Sequence, residues 1–537
     1  MTALVIVNAR IFSRGVVFPA SAIAVRGERI AVVGTATDAR DAAGHGALEL
    51  DARGGLVTPG FVDAHVHLGV GAMDALRCDL AGAATREEID SRVRSFAAGS
   101  EAPWIVGGGW DPTLFPATGP TAAHLDDLVP DRPALLLDAD HHGAWANSKA
   151  LRAAGIDAGT SDPPDGRIER DGDDSPSGTL REGAMQMVAR LLPAPDLDQV
   201  AGGILRLSRE LLRAGITGWQ EAALGAYGGF PDFTAAYLRL LEHGRLRGRP
   251  TGAIWVPRDL DEGGIDAFVA EAAARAVANA RAGLPSSTAK LMLDGIVESR
   301  TAHLLEPYAG GDARGLSYFS PALVQRLIPA LNTAGLSVHV HAIGDAAVRD
   351  ALDAFARVPS DLRERVRNHI AHIQLVHPDD VPRFRALSVT ANAQPYWACA
   401  TALTRQATLP LIGDERLDRL YVFGSLDRAG ARLAMGSDWP VSTFDPWQGT
   451  HVAVTRQPPG APDAAALGAS EGIDLATAID AYTRGSARLL GLPGGVIEPG
   501  AMADLAIADR DPFAAPTAAI HETRNAATIV AGEVADV

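Results

Sequence analysis

The feature that most constrains this chain is a recurrence of short apolar segments, each followed by polar or glycine residues and then by a helix-like stretch rich in Ala, Leu and Arg. Eight such segments stand out: FVDAHVH (61–67), GITGWQEA (215–222), TGAIWVP (251–257), AKLMLDG (289–295), LSVHVHA (336–342), NHIAHIQLV (368–376), LSVTANAQP (387–395) and RLAMGSD (432–438). Strands alternating with helices form a parallel sheet, since each helix carries the chain back to the starting end. Eight parallel strands close into a (β/α)8 barrel of the α/β class.

Before residue 58 the chain runs in β-rich pieces, ALVIVNARIF, SAIAVRGERIAVVG and ALELDARGGLVT, broken by turn signals. The C-terminus repeats that style in GVIEPGAMADLAIADRD and AATIVAGEVADV. Residues 1–58 and 493–537 are therefore expected to share one β domain, with the barrel at 59–492 between them. From about 71 to 205 no barrel strand is evident, and a structureless loop of that length does not suit a compact domain. An inserted subdomain is expected there. Thr85 with Glu88 and Thr179 with Glu182 match capping boxes, PALLLDAD reads as a buried strand, and 157–178 reads as a loop or hairpin near the barrel mouth.

A chain of 537 residues exceeds what a single core usually fills, and 47% hydrophobic with 21% charged residues fits a packed globular protein. The 65 acidic against 48 basic residues leave −17, which repels a phosphate backbone, so no nucleic acid partner is expected. Two cysteines, Cys78 and Cys399, make neither a disulfide framework nor a paired-thiol metal site, and read as small buried hydrophobes. No leader-like or membrane-spanning apolar run occurs, so no membrane partner is expected and the cytoplasm is the expected compartment.

In a parallel barrel the ligand-facing side chains sit at the C-terminal strand ends. Here those ends carry metal-binding types. His65 and His67 share one face of the first strand, and His339 and His341 share one face of the fifth. The sixth carries His369 and His372, offset by three and so on opposite faces, and the eighth ends in Asp438. Each histidine alone reads as a core or surface residue. Together, imidazoles at three strand ends with a carboxylate at a fourth are the donor set that zinc requires. Lys290 on the fourth strand is awkward beside a dication; it either snorkels outward or is chemically changed into a ligand.

PGFVDAHVHLG, GGGWDPTLFP, DHHGAWANSKAL, KLMLDGIVESRTA, HVHAIGDAA, NHIAHIQLV, ANAQPYW, GSDWPV and GVIEPGAMADLAI, in this order, resemble the amidohydrolase superfamily and its branch containing N-substituted formamide deformylases. The resemblance implies a distorted (β/α)8 TIM barrel, a small β-sandwich from both termini and an inserted α/β subdomain after the first strand. Carried over by motif, His65 and His67 match ligands of the more buried metal, and Lys290 matches a lysine carboxylated to a bridging carbamate. His341 and His372 match ligands of a second metal, with the family pattern favouring His341 over His339. Asp438 matches the acid that ligates the first metal and shuttles protons. His142 and Asn147 match a substrate-facing lid motif, although a loop-bracing hydrogen bond suits both equally. Arg300 and Trp397 are further substrate-binding candidates, while Arg300 with Thr301 and Asp345 belong to motifs whose roles spacing does not assign. Glu221, ending the second strand candidate, faces either the lumen or a helix.

The implied cofactor is one or two divalent metals, zinc in expectation, with carbamylated Lys290 if there are two. The implied reaction is hydrolysis of a non-peptide amide or formamide-like C–N bond by metal-bound hydroxide, with Asp438 as proton shuttle. Alternatives using the same site are an ester or lactone hydrolase and a deaminase; a non-catalytic metal-binding protein is a third. The expected partner is a small-molecule substrate, and the resemblance is compatible with a homodimer. Trp104, Trp110, Phe115, Trp145, Tyr396 and Trp397 suit either an apolar or aromatic N-substituent or ordinary packing.

Overall fold

The computed structural model describes residues 3–535; residues 1, 2, 536 and 537 of the expected terminal segments lie outside the described residues. The eight strands of the central sheet are β1 (Phe61–Val66), β2 (Ile216–Leu224), β3 (Arg249–Trp255), β4 (Thr288–Met292), β5 (Ser337–Ala342), β6 (His369–His372), β7 (Thr390–Ala393) and β8 (Arg432–Met435). They pair in that order, and all the pairings are parallel. Every central position of these strands is buried, because the lumen closes one face and helices cover the other. The seam between β1 and β8 is held beyond the ladder: the Asp438 amide donates to the His65 carbonyl at 2.7 Å and the Ser437 amide to Asp63 Oδ1 at 2.9 Å. A β-carbon at Gly436 would lie 2.5 Å from the His65 nitrogen, so the seam closes only with glycine there.

Strands from both ends of the chain share one six-stranded sheet, in which Leu56–Pro59 pairs with both Arg10–Ser13 and Leu505–Ala508. A four-stranded sheet of Arg29–Gly34, Ala22–Arg26, Ala3–Val7 and Leu48–Asp51 packs on it through Leu4, Ile6, Ile23, Val57, Leu505 and Ile529.

A third sheet, of six strands between Cys78–Asp79 and Pro176–Glu182, follows the first barrel strand and the helix Leu68–Asp74. Its own core contains Trp110, Phe115 and Trp145. Those aromatic residues are packing, not substrate contacts. Two details differ from expectation. The helix Leu197–Arg213 packs on the helix Leu68–Asp74 and feeds β2, so the barrel resumes before residue 205: its buried stripe, Val200, Ile204 and Leu211, needs the barrel wall. Thr85 does cap the helix Arg86–Gly99, but Thr179 lies inside a strand and its hydroxyl donates to the Pro120 carbonyl at 2.7 Å. A capping signature is local, and sheet pairing overrides it there.

Candidate metal centre and substrate cavity

β1 delivers His65 on the lumen face, and His67 follows where the chain turns into the helix Leu68–Asp74. Their Nε2 atoms are 3.3 Å apart, and Asp438 Oδ1 lies 3.2 Å from the first and 3.5 Å from the second. The other carboxylate oxygen of Asp438 is 3.8 Å from His372 Nδ1, so its two oxygens face different histidines. Asp438 and His372 both have left-handed backbones, with φ of +60° and +72°. Such conformations cost about 1–3 kcal/mol and persist where the surroundings impose them. Here the Asp438 amide is bound by the His65 carbonyl, and the His372 amide donates to Gln394 Oε1 at 2.7 Å.

Burial dominates the electrostatics. It holds the His65 and His341 imidazoles well below their usual range and brings His372 down to about 3. These rings are therefore neutral and offer lone pairs. Burial would raise Asp438, but His65, His67 and His372 outweigh it and keep the carboxyl well below the ordinary range. Burial also lowers Lys290 to about 7, and no carboxylate lies within ion-pair distance of its Nζ among the described residues.

Two neutral imidazole nitrogens and a carboxylate oxygen converging on one point fit a divalent cation, because facing lone pairs repel without a positive charge between them. Tyr227, whose hydroxyl is 3.1 Å from His67 Nδ1, binds the opposite ring nitrogen and so leaves His67 Nε2 directed at that point.

His65, His67, Lys290, His341, His372 and Asp438 all line one cavity of about 650 Å³ at the C-terminal strand ends. His142 and Trp397 line it too. His142 comes from the inserted sheet, and its Nδ1 contacts Glu182 Oε1 at 2.7 Å. Glu182 also accepts from Thr301 Oγ1 at 2.9 Å and lies 3.5 Å from Arg258, whose guanidinium stacks 4.0 Å over the Tyr318 ring. Burial opposes both charges of the pair, yet their mutual attraction wins, raising His142 to about 9 and lowering Glu182 to about 2.

Other candidates lie elsewhere. Asn147 is fully buried away from the cavity: its Oδ1 accepts from the Ala134 and Ala150 amides, and its Nδ2 donates to the Val129 and Arg132 carbonyls. All its hydrogen bonds are used inside the insertion, so it braces and does not bind substrate. Arg300 is exposed and does not line the cavity; its neighbour Thr301 turns inward instead. Asp345 is buried and accepts from the Leu305 amide at 2.8 Å. Glu221 faces a helix, bound by the Tyr237 hydroxyl and the Gly69 amide, and burial raises it to about 8. Cys78 and Cys399 are buried, and burial raises both thiols to about 11.

Glu182, Arg258, Tyr227 and Tyr318 are cavity residues that pattern reading missed. Glu182 resembled a helix cap, and the only local sign for Tyr227 was its glycine-flanked turn, GAYGGF.

A parallel eight-stranded barrel that gathers neutral imidazoles and a carboxylate at its C-terminal mouth defines a metal-dependent hydrolase. Residues 48–536 match the family model described as the amidohydrolase family. The chain belongs to that family and is an amidohydrolase-type enzyme. It is 30% identical over 520 residues to Protein LONG AFTER FAR-RED 3 of Arabidopsis thaliana, covering 94% of this chain and 86% of that protein. It is 28% identical over 537 residues to an N-substituted formamide deformylase of Arthrobacter pascens, covering 96% and 94% respectively. Among solved structures, an uncharacterized metal-dependent hydrolase from Pyrococcus furiosus aligns with a TM-score of 0.69 at 25% identity, over 93% of this chain and 97% of that one. Among the described residues no helix is long and apolar enough to cross a membrane.

Proposed function

We propose that the protein hydrolyses a non-peptide C–N bond in a small amide or formamide, releasing an acid and an amine in the cytoplasm. The observation that carries this reading is the convergence of His65, His67 and Asp438 at the floor of the cavity, with His341, His372 and Lys290 on its walls. The likeness to a formamide deformylase over nearly the whole chain supports an amide substrate over an ester.

His65, His67 and Asp438, with His341, His372 and Lys290 as a carbamate, would hold up to two divalent ions, zinc in expectation. A bound divalent metal supplies Lewis acidity, lowering the pKa of water from about 15.7 to roughly 7 and polarising a carbonyl. A lysine brought to about 7 by burial is substantially unprotonated at neutral pH, and only that form reacts with carbon dioxide. The resulting carbamate replaces a repelling ammonium with an anionic ligand.

Asp438 is the proton carrier. Held ionised by three histidines, it accepts a proton from the attacking water and returns it to the leaving nitrogen as the C–N bond breaks. The insertion contributes His142, Asp165 and Glu182 to the cavity lining. Asp438→Asn keeps the shape and removes the acceptor, so the rate should fall by a factor of about 10² to 10⁴. The test is a screen of N-formyl, N-acyl and cyclic amides with zinc-loaded protein and this variant. Turnover of a good substrate by the metal-retaining variant at the wild-type rate would refute the assignment.

A further inference from the structure

The first histidine of the His339-Val340-His341 pair does not line the cavity. It lies beneath the floor, fully buried, between Gln220 on β2 and His65 on β1. Its Nδ1 is 2.9 Å from Gln220 Oε1, and its Nε2 is 3.0 Å from His65 Nδ1. Gln220 is 1% exposed, so water does not replace any of these contacts.

Proton placement along this line follows from donor and acceptor chemistry. A carboxamide oxygen only accepts, so His339 Nδ1 carries the hydrogen. A neutral imidazole has one, so His339 Nε2 is a lone pair and must accept from His65 Nδ1. Lys290 Nζ, which carries hydrogen in every form, lies 3.5 Å from the same nitrogen and also faces it as an acceptor. His65 then has its hydrogen on Nδ1, and its Nε2 is a bare lone pair 3.2 Å from Asp438 Oδ1. Rotating the Gln220 amide by half a turn would reverse every donor along the line and put a hydrogen on His65 Nε2, where no metal could bind.

We propose that Gln220 and His339 are positioning residues for the metal centre, a buried relay that sets the tautomer of His65 so that its Nε2 is available as a ligand. This rests on the metal-site reading above. It also gives the two β5 histidines separate tasks: His341 lines the cavity, and His339 supports a ligand on another strand.

The experiment is calorimetric titration of zinc into metal-stripped wild-type protein and into the variants Gln220→Leu and Gln220→Glu, with thermal unfolding as a control for the fold. Outer partners of metal-bound histidines typically contribute 10- to 100-fold in affinity. Gln220→Leu should lose that factor, and Gln220→Glu, which retains an acceptor oxygen in either protonation state, should bind within a few-fold of wild type. Equal affinity for Leu and wild type would overturn the relay, and no binding by wild type would overturn the metal site itself. If Gln220→Leu does not fold, Gln220→Met carries the same comparison. Nitrogen-15 spectra of ring-labelled, metal-free wild type provide the second readout: His65 and His339 should both be protonated on Nδ1, and a hydrogen on Nε2 of either refutes the proposal.

Discussion

Replacing Glu182 by Gln should destabilise the protein in a way that depends on pH. Glu182 is 1% exposed, has a left-handed φ of +52°, pairs with His142 of the insertion and joins the inserted sheet to the barrel through Thr301 and Arg258. The pair moves His142 from 6.5 to about 9 and Glu182 from 4.5 to about 2. Each displacement is roughly 2.5 pH units, or about 3 kcal/mol at about 1.36 kcal/mol per unit, counted once because the His142–Glu182 contact is common to both. The raised His142 contributes stability in full below 6.5 and loses it as pH climbs through about 9. The depressed Glu182 contributes in full above 4.5 and loses it as pH falls through about 2. The advantage of wild type over Glu182→Gln should therefore peak between 4.5 and 6.5, at about 3 kcal/mol, and shrink at alkaline pH. Urea unfolding of both proteins across acid, neutral and alkaline buffers measures it. An advantage of the same size below 6.5 and above 9 would refute the reasoning.

Chelation should abolish hydrolysis and lower the thermal midpoint, with zinc restoring both; activity surviving in metal-free protein by elemental analysis would count against a metal site. Lys290→Ala should lower the metal bound per chain, which elemental analysis also reads; full metal content with full activity would show that Lys290 is no ligand. Asn147→Ala should cost about 3–5 kcal/mol, from a lost helix cap and several orphaned buried backbone groups, while leaving KM unchanged in the folded fraction; a raised KM would restore it to the substrate site. Arg258 is already flanked by Asp165 and Glu182 at 3.4 and 3.5 Å, so its guanidinium is not free for a substrate carboxylate. A neutral aromatic formamide should thus have a higher kcat/KM than an N-formyl aromatic amino acid, and the reverse ranking would show that Arg258 abandons its partners for substrate.

By itself, the sequence determined the barrel and the strands that carry its chemistry. The eight apolar runs, with ligand-type residues at their ends, are periodic signals, and the period of two along a strand places His65 beside His67 whatever surrounds them. The pairing of the two chain ends was also legible, as matching composition. Contacts between segments distant in the chain were decided only by the tertiary structure. The two β5 histidines are equivalent in periodicity, and which one reaches the cavity depends on depth in the lumen, set by how β5 is staggered against its neighbours. Asn147 and His142 lie in one motif, yet one is consumed by backbone partners and the other reaches the cavity. Glu182 and Thr301, 119 residues apart, meet because the insertion folds back over the mouth. The physical reason is that secondary structure is periodic and local, whereas a buried polar group takes its role from whichever partners three-dimensional packing brings within about 3 Å.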